Sequence, residues 1–316
     1  MLRTVLALLL ASVFIGCQQR SPAPLRVATN VWPGYEPLYA ARELGMLDTR
    51  AVHLVEASSA SEVIRLFRNG AVDAGALTLD EVMRLSADGI DCVVILVTDT
   101  SNGADAIIAR SELSTMQSLE GRRLGVESGA VGAFVAARAF ALHGIDSSKV
   151  ELVPLEIHEL ARAFVEERVD AVVTFDPVRA TLLTQGAHSL FDSSQIPGEV
   201  VDVIVVRRSF LLETPAPVYE LVSTWFEAVE RLHDRPHELV PLMAARERIS
   251  EAAMREALAS IDIPDHAQNL ELMVSPDGLR MSGKRLSQEM VRQQLLAAPA
   301  DMNALLAPGP LQANGL

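Results

Sequence analysis

One helix–turn–strand segment occurs twice in this chain, and the repeat limits the folds that the chain can adopt. Residues 62–77 and 159–174 share Glu, Arg, Phe, Val, Asp and Ala in register, and each strand opens with Val-Asp-Ala. Residues 32–42 also align with residues 128–138, one residue out of phase with the first match. Chance similarity is an alternative, because helix–turn–strand units share their composition. A genuine repeat predicts two similar α/β lobes, each presenting a strand-to-helix turn to a cleft between them.

Strand-like and helix-like segments alternate from Leu25 onward. Helices of about ten residues separate the strands, which predicts mainly parallel sheets with helices on their faces. The expected strands cover residues 25–28, 53–56, 72–77 and 92–98, and the helices between them cover residues 37–44, 61–68 and 80–87.

The N-terminus has the pattern of an export signal. Residues 1–16 carry Arg3 and then a short apolar run, which is too short to span a bilayer and remain there. The residues before Cys17 are similar to a bacterial lipobox, which implies cleavage before Cys17 and lipidation of its thiol. An ordinary cleavage site beside an incidental cysteine is the alternative. Residues 17–24 are polar and rich in Pro and Ser, which suits a tether. We expect a lipid-anchored protein on the periplasmic or extracellular side of a bacterial membrane.

Removing residues 1–16 leaves 300 residues, which is longer than most domains that have a single hydrophobic core. The alternation of strands and helices is interrupted at residues 98–103 and 195–198. We therefore expect two hinge crossings between two lobes. Lobe one is predicted to contain residues 25–105 and 201–316, and lobe two residues 106–200.

Charge and cysteine content exclude several classes of function. Loss of residues 1–16 removes Arg3 and no acidic residue, so the formal net charge changes from −14 to −15. Such an acidic surface argues against nucleic acid or anionic lipid as a partner. Cys92 lies in an apolar run and is expected to be a buried thiol. No His or Cys spacing indicates a metal site, and we expect no cofactor.

The stretch Asn30–Pro37 joins the first strand to the first helix and contains Trp32, Gly34 and Tyr35. Unpaired N–H groups at such a turn can bind a polar ligand, and the two aromatic rings add flat faces with a polar edge. The alternative is that Trp32 and Tyr35 simply fill the core at the end of the strand.

Residues 31–45 resemble the solute-binding proteins of nitrate, taurine and sulfonate-type ABC importers, a broad family that includes binders of thiamine-pyrimidine precursors. Residues 69–74, 127–130 and 171–177 support the resemblance. The family implies a bilobed α/β periplasmic-binding-protein fold of type II, which closes about a hinge on one small molecule and delivers it to a membrane permease. We expect a monomer.

By position in that fold, both lobes and the crossing between them contribute to the ligand site. The expected contacts are Trp32, Gly34, Tyr35, Thr78 and Asp80 in lobe one, Asn102 and Asp105 at the crossing, and Glu127, Ser128, Gly129, Ala130, Phe175 and Asp176 in lobe two.

The expected rim contains five carboxylates and no evident Lys or Arg, which favours a neutral or cationic, nitrogen-bearing ligand over a small anion. Asp80 and Asp176 have an alternative role as helix N-caps that point away from the cleft. The carboxylates are Glu36, Asp80, Asp105, Glu127 and Asp176.

Three other functions fit parts of the sequence. A sensor subunit that reports its ligand to a membrane signalling protein needs the same closing cleft as an importer. An enzyme that makes thiamine pyrimidine or menaquinone precursors needs a poised nucleophile, base or metal, and the proposed turns carry neither Cys nor His. A purely structural lipoprotein is the third alternative.

Overall fold

The computed structural model describes residues 23–313, and in these residues the chain forms two mixed sheets with helices on their faces. The predicted export signal, Cys17 and residues 18–22 of the predicted tether lie outside this range. In chain order the strands are β1 (Leu25–Thr29), β2 (Val52–Glu56), β3 (Ala74–Thr78), β4 (Cys92–Ser101), β5 (Ala106–Ala109), β6 (Arg123–Val126), β7 (Glu151–Pro154), β8 (Ala171–Thr174), β9 (His188–Asp192), β10 (Val201–Arg207) and β11 (Ile261–Asp262).

The helices between the strands cover both sheets. They are α1 (Glu36–Glu43), α2 (Ala60–Arg68), α3 (Leu79–Ala87), α4 (Val131–His143), α5 (Ile157–Val165), α6 (Val178–Thr184), α7 (Arg208–Glu213), α8 (Pro215–Asp234), α9 (Pro236–Glu247), α10 (Glu251–Ala259), α11 (His266–Val274), α12 (Leu279–Arg292), α13 (Met302–Leu305) and α14 (Gly309–Ala313). No helix in residues 23–313 is both long enough and apolar enough to cross a membrane.

Most strands of each sheet run in one direction, as expected, but both sheets are mixed, because each contains an antiparallel strand between parallel neighbours. The first sheet has the order β11-β4-β10-β3-β1-β2, and β10 runs antiparallel to both β3 and β4. The second has the order β7-β6-β8-β5-β9, and β5 runs antiparallel to both β8 and β9.

The reversed strands follow from the way the chain crosses between the sheets. Strand β4 ends at Ser101 and β5 begins at Ala106 in the other sheet; the return runs from the end of β9 to the start of β10. A strand that begins at the edge of the sheet where the parallel strands end must run antiparallel to those strands. The sequence shows where these crossings occur, but the chosen lobe limits stay a prediction.

The internal repeat is confirmed, because β1-α1-β2-α2-β3 and β6-α4-β7-α5-β8 have the same order of elements and occupy the same places in their sheets. Matching side chains also pair alike. Arg26 Nε contacts Asp73 Oδ2 at 2.8 Å in the first sheet, and Arg123 contacts Asp170 Oδ1 at 2.8 Å in the second. Cys92 is buried in β4 as expected, and burial raises the pKa of its thiol to about 11.

Candidate functional site

A small cavity lies where the carboxyl ends of the strands in the two sheets face each other. Its volume is about 20 Å³, which is enough for roughly one water molecule. The lining residues come from both lobes and from the return strand β10. They are Asn30, Trp32, Tyr35, Ala60, Thr78, Glu81, Asp105, Val131, Phe175 and Asp202.

The turn after β1 places its aromatic side chains at this cavity. Pro33–Tyr35 form one turn of 3₁₀ helix that leads directly into α1. Trp32 is buried, and its Nε1 donates to both carboxylate oxygens of Asp99, at 3.1 and 3.2 Å. A Cβ at Gly34 would lie 1.9 Å from Asp99 Oδ2, so only glycine permits this close approach.

Trp32 also touches the opposite lobe. Its ring meets the ring of Phe175 edge to face, with 5.2 Å between the ring centroids. Phe175 follows β8 of the second sheet, whereas Trp32 follows β1 of the first. The pair therefore closes one side of the cavity with apolar surface contributed by both lobes.

Tyr35 points to the return strand. Its hydroxyl donates to Asp202 Oδ1, and both side chains are buried. Asp202 is the one charged residue in the apolar first part of β10, Val201–Val206. Burial raises the pKa of Asp202 well above its usual range, and the nearby Asp99 raises it further. Burial also raises the pKa of Tyr35, so its proton stays available for this hydrogen bond.

Glu81 connects the two lobes with one carboxylate. Its Oε2 accepts a hydrogen bond from the backbone N–H of Thr78 at 2.9 Å, which completes a capping box at the start of α3. Its Oε1 accepts from the backbone N–H of Val131 at 2.8 Å, at the start of α4 in the second lobe. Burial, reinforced by Asp80, raises the pKa of Glu81 to about 8.

Asp105 has an uncommitted oxygen at the cavity. Its side chain is buried, and Oδ2 has no hydrogen-bond partner among the described residues. Burial raises the pKa of Asp105 to about 6 and that of Asp99 to about 7. The cavity is therefore walled by carboxylates that have lost their hydration, and none of its ten described lining residues is Lys or Arg.

Five of the residues expected from the sequence line this cavity: Trp32, Tyr35, Thr78, Asp105 and Phe175. Gly34 supports the turn without lining the cavity. Glu127 and Ala130 are buried at the seam between the lobes, whereas Asn102, Ser128 and Gly129 are exposed.

The expected rim without Lys or Arg needs a correction. Arg84 contacts Asp80 at 3.0 Å and Arg179 contacts Asp176 at 3.0 Å, with the arginines four and three residues farther along the chain. Both carboxylates lie outside the cavity lining, and Asp176 also accepts from the N–H of Ala180 at 2.9 Å. Glu36 is likewise paired, with Arg246. The absence of a cation holds for the cavity but not for the rim.

Sequence reasoning missed three carboxylates of the site, although each leaves a signal. Asp202 interrupts an apolar strand, and Asp99 follows an apolar run and lies just before the crossing. Glu81 stands three residues after Thr78, the spacing of a capping box. No group of three or more His, Cys, Asp or Glu side chains in residues 23–313 is arranged to hold a metal ion.

The sequence matches the NMT1-like family over residues 18–245. A protein of Brucella abortus that carries the name of a binding protein is 22% identical over 270 residues, which cover 79% of this chain and 80% of that protein. The taurine-binding periplasmic protein of Escherichia coli is 22% identical over 209 residues, which cover 65% of this chain and 64% of that protein.

Solved structures share the fold. The alkanesulfonate-binding protein SsuA from Xanthomonas axonopodis pv. citri, bound to MOPS, superposes with a TM-score of 0.76 and 18% identity, and the match covers 90% of this chain and 99% of that one. SsuA from Escherichia coli gives a TM-score of 0.73 at 17% identity, over 91% and 92% of the two chains. The predicted bilobed α/β periplasmic-binding-protein fold is confirmed.

Proposed function

The chain belongs to the NMT1-like family, and from that premise we propose that it is an extracytoplasmic solute-binding protein, which captures a small polar organic molecule between its lobes and delivers it to an ABC-type importer. The cavity carries this proposal, because residues from both lobes line it at the carboxyl ends of the strands. A ligand that contacts both walls stabilises a closed form of the protein. Because the cavity of this structure holds only about one water molecule, an organic ligand requires the lobes to lie farther apart than they do here.

The proposed ligand is cationic, or neutral and nitrogen-bearing. Asp105 offers a free oxygen, and Glu81 and Asp202 line the same cavity. An ammonium or amidinium group there gains charge-assisted hydrogen bonds, and the rings of Trp32 and Phe175 provide apolar and π surface beside it. A sulfonate or nitrate in this position would face carboxylates and meet no guanidinium or ammonium of the lining.

The raised pKa values add a testable property. Burial holds the pKa of Asp105 at about 6, of Asp99 at about 7 and of Glu81 at about 8. A bound cation favours the ionised carboxylates, so binding releases protons to the solvent. Affinity for a cationic ligand should therefore increase as the pH rises from 6 to 8, whereas affinity for a neutral ligand should not show this increase.

Isothermal titration of the purified protein tests this proposal. The probes are an aminopyrimidine, a polyamine, taurine and nitrate, each titrated at pH 6 and pH 8. We expect binding of at least one nitrogenous cation, with higher affinity at pH 8. The observed enthalpy should vary with the ionisation enthalpy of the buffer, which shows that binding releases protons. Tight binding of taurine or nitrate, with no binding of the amines, would overturn the assignment of the ligand.

Anchoring through a lipidated Cys17 is part of the proposal. The family match begins at residue 18, directly after this cysteine, so the predicted signal lies outside the matched region. Mass spectrometry of the mature N-terminus should find a diacylated cysteine, and Cys17→Ser should release the protein from membranes. A mature chain that starts elsewhere, without lipid, would contradict the anchor.

A further inference from the structure

Three carboxylates reach across the seam between the lobes and contact the first turn of a helix, or the residue that caps it, on the opposite side. Glu127 Oε1, in the second lobe, accepts from the backbone N–H of Ser61 in α2 at 2.8 Å. Glu81 Oε1, in the first lobe, accepts from the N–H of Val131 in α4 at 2.8 Å. Glu156 Oε2, at the start of α5, accepts from the hydroxyl of Ser59 at 2.5 Å.

These contacts satisfy groups that the helices cannot satisfy themselves. Helix α4 begins after Ala130, which has no side-chain acceptor, so its first N–H is capped by Glu81 of the other lobe. In α2 the hydroxyl of Ser59 accepts from the N–H of Glu62 at 3.1 Å, which leaves the N–H of Ser61 for Glu127. A carboxylate at a helix N-terminus also interacts favourably with the helix dipole.

A second contact fixes α4 to the first lobe farther along its length. Arg138 in α4 contacts Glu199 at 2.5 Å and Glu289 in α12 at 3.2 Å. Helix α12 packs against α3, the helix that contains Glu81. Helix α4 is therefore held to the first lobe both at its first turn and near its middle.

We propose that Glu81, Glu127 and Glu156 form a latch that holds the two lobes closed through contacts made by the protein alone. This inference rests on the lobe closure in the proposed function but not on the identity of any ligand. The latch sets how often the cleft opens. A weaker latch admits ligand faster and releases it faster, whereas the intact latch slows both steps.

Small-angle X-ray scattering of the purified, ligand-free protein tests the latch. The wild-type protein should scatter as the closed structure does. In Glu81→Gln the side chain can accept only one of its two N–H bonds, and in Glu127→Ala the bond to Ser61 is lost. The double variant should have a larger radius of gyration, because the lobes separate. Glu151→Ala, which removes an exposed carboxylate of the second lobe, is the matched control and should leave the curve unchanged.

Each variant is first checked for an intact fold by its cooperative thermal transition. Glu127 does not itself line the cavity, so Glu127→Ala alone decides the question if the double variant does not fold. An open ligand-free wild-type protein would overturn the latch, and so would variants whose scattering equals that of the wild type. Because no ligand is added, failure of the latch is distinguishable from failure of the proposed ligand class.

Discussion

Buried carboxylates without a cation are the most unusual residues of this chain. Removing a carboxylate from water is costly unless the charge is paired, and the usual result is a raised pKa. Asp99, Asp105, Glu81 and Asp202 all show that response around one small cavity. Groups perturbed in this way are concentrated at functional sites, because a binding partner supplies what the fold does not. Their arrangement is more informative about the ligand than the fold is.

Asp105→Asn should weaken the binding of a cationic ligand about tenfold or more, the usual loss for one charge-assisted hydrogen bond. The amide has nearly the same size as the carboxylate, so the fold should be retained. Titration calorimetry with the best nitrogenous ligand of the wild-type protein gives the measurement. Asp277→Asn, a change at an exposed position, is the control and should bind normally. Equal affinity in the two variants would show that Asp105 does not contact the ligand.

At the scale of single residues, the sequence predicted those site residues that belong to a local sequence pattern. Trp32 and Tyr35 belong to a recognisable turn, and they line the cavity. Their partners Asp99 and Asp202 lie 67 and 167 positions away in the chain, and only the sheet brings them together. Spacing along the sequence therefore indicates the turn but not the carboxylates beneath it.

At the scale of elements, the repeat extends to the strands that cross between the lobes. Arg207 ends β10 and Arg110 follows β5, the strands that enter each sheet after a crossing and run antiparallel to both neighbours. The guanidinium of Arg207 stacks on the ring of Phe67, 4.7 Å from its centroid, and donates to the carbonyl of Phe67. Arg110 does the same with Phe164, at 4.6 Å. Each lobe therefore uses the same clasp between its antiparallel strand and the end of a helix.

Arg110→Leu and Arg207→Leu should destabilise the protein to a similar extent, by about 1–3 kcal/mol each, because each loses a cation–π contact and a hydrogen bond to a carbonyl. Urea denaturation gives the free energy of unfolding. Arg50→Leu is the control, since the side chain of Arg50 is 90% exposed, and it should change nothing measurable. A large loss in only one of the two variants would mean that the clasps are not equivalent.

The antiparallel strands also show what the sequence pattern does not contain, namely the direction of each strand. Residues 200–206 are apolar except for Asp202, and Ala106–Ala109 is apolar throughout; such runs are equally compatible with parallel and antiparallel neighbours. The direction of a strand depends on the edge at which the chain enters the sheet. That edge is determined by the crossing between the lobes. The helix–turn–strand units needed no such information, because their connections are local.

At the scale of the whole molecule, the buried carboxylates couple stability to pH. In the folded protein the pKa is about 8 for Glu81, about 7 for Asp99 and about 9 for Glu247, which lies outside the cavity lining. In the unfolded chain such groups titrate near pH 4. Between these values the folded state holds more protons than the unfolded state, so the free energy of unfolding decreases as the pH rises.

The free energy of unfolding should therefore fall steadily from about pH 5 to about pH 8, the interval between the unfolded and folded pKa values. Carboxylates whose pKa is lowered in the folded protein, such as Asp170, change the free energy of unfolding at a pH below this interval. Urea denaturation at several pH values gives the slope. Glu81→Gln and Glu247→Gln should each make this slope shallower, because each removes one carboxyl group whose pKa is raised in the folded protein.

The same two variants separate stability from function. Of these two residues only Glu81 lines the cavity, so the gain in affinity for a cationic ligand with rising pH should be smaller in Glu81→Gln and unchanged in Glu247→Gln. Saturating cation should also flatten the slope of the wild-type protein, since the bound charge lowers the pKa of the cavity carboxylates. A stability that rises between pH 5 and pH 8 would mean that these carboxylates are ionised in the folded protein and are balanced by charges other than a ligand.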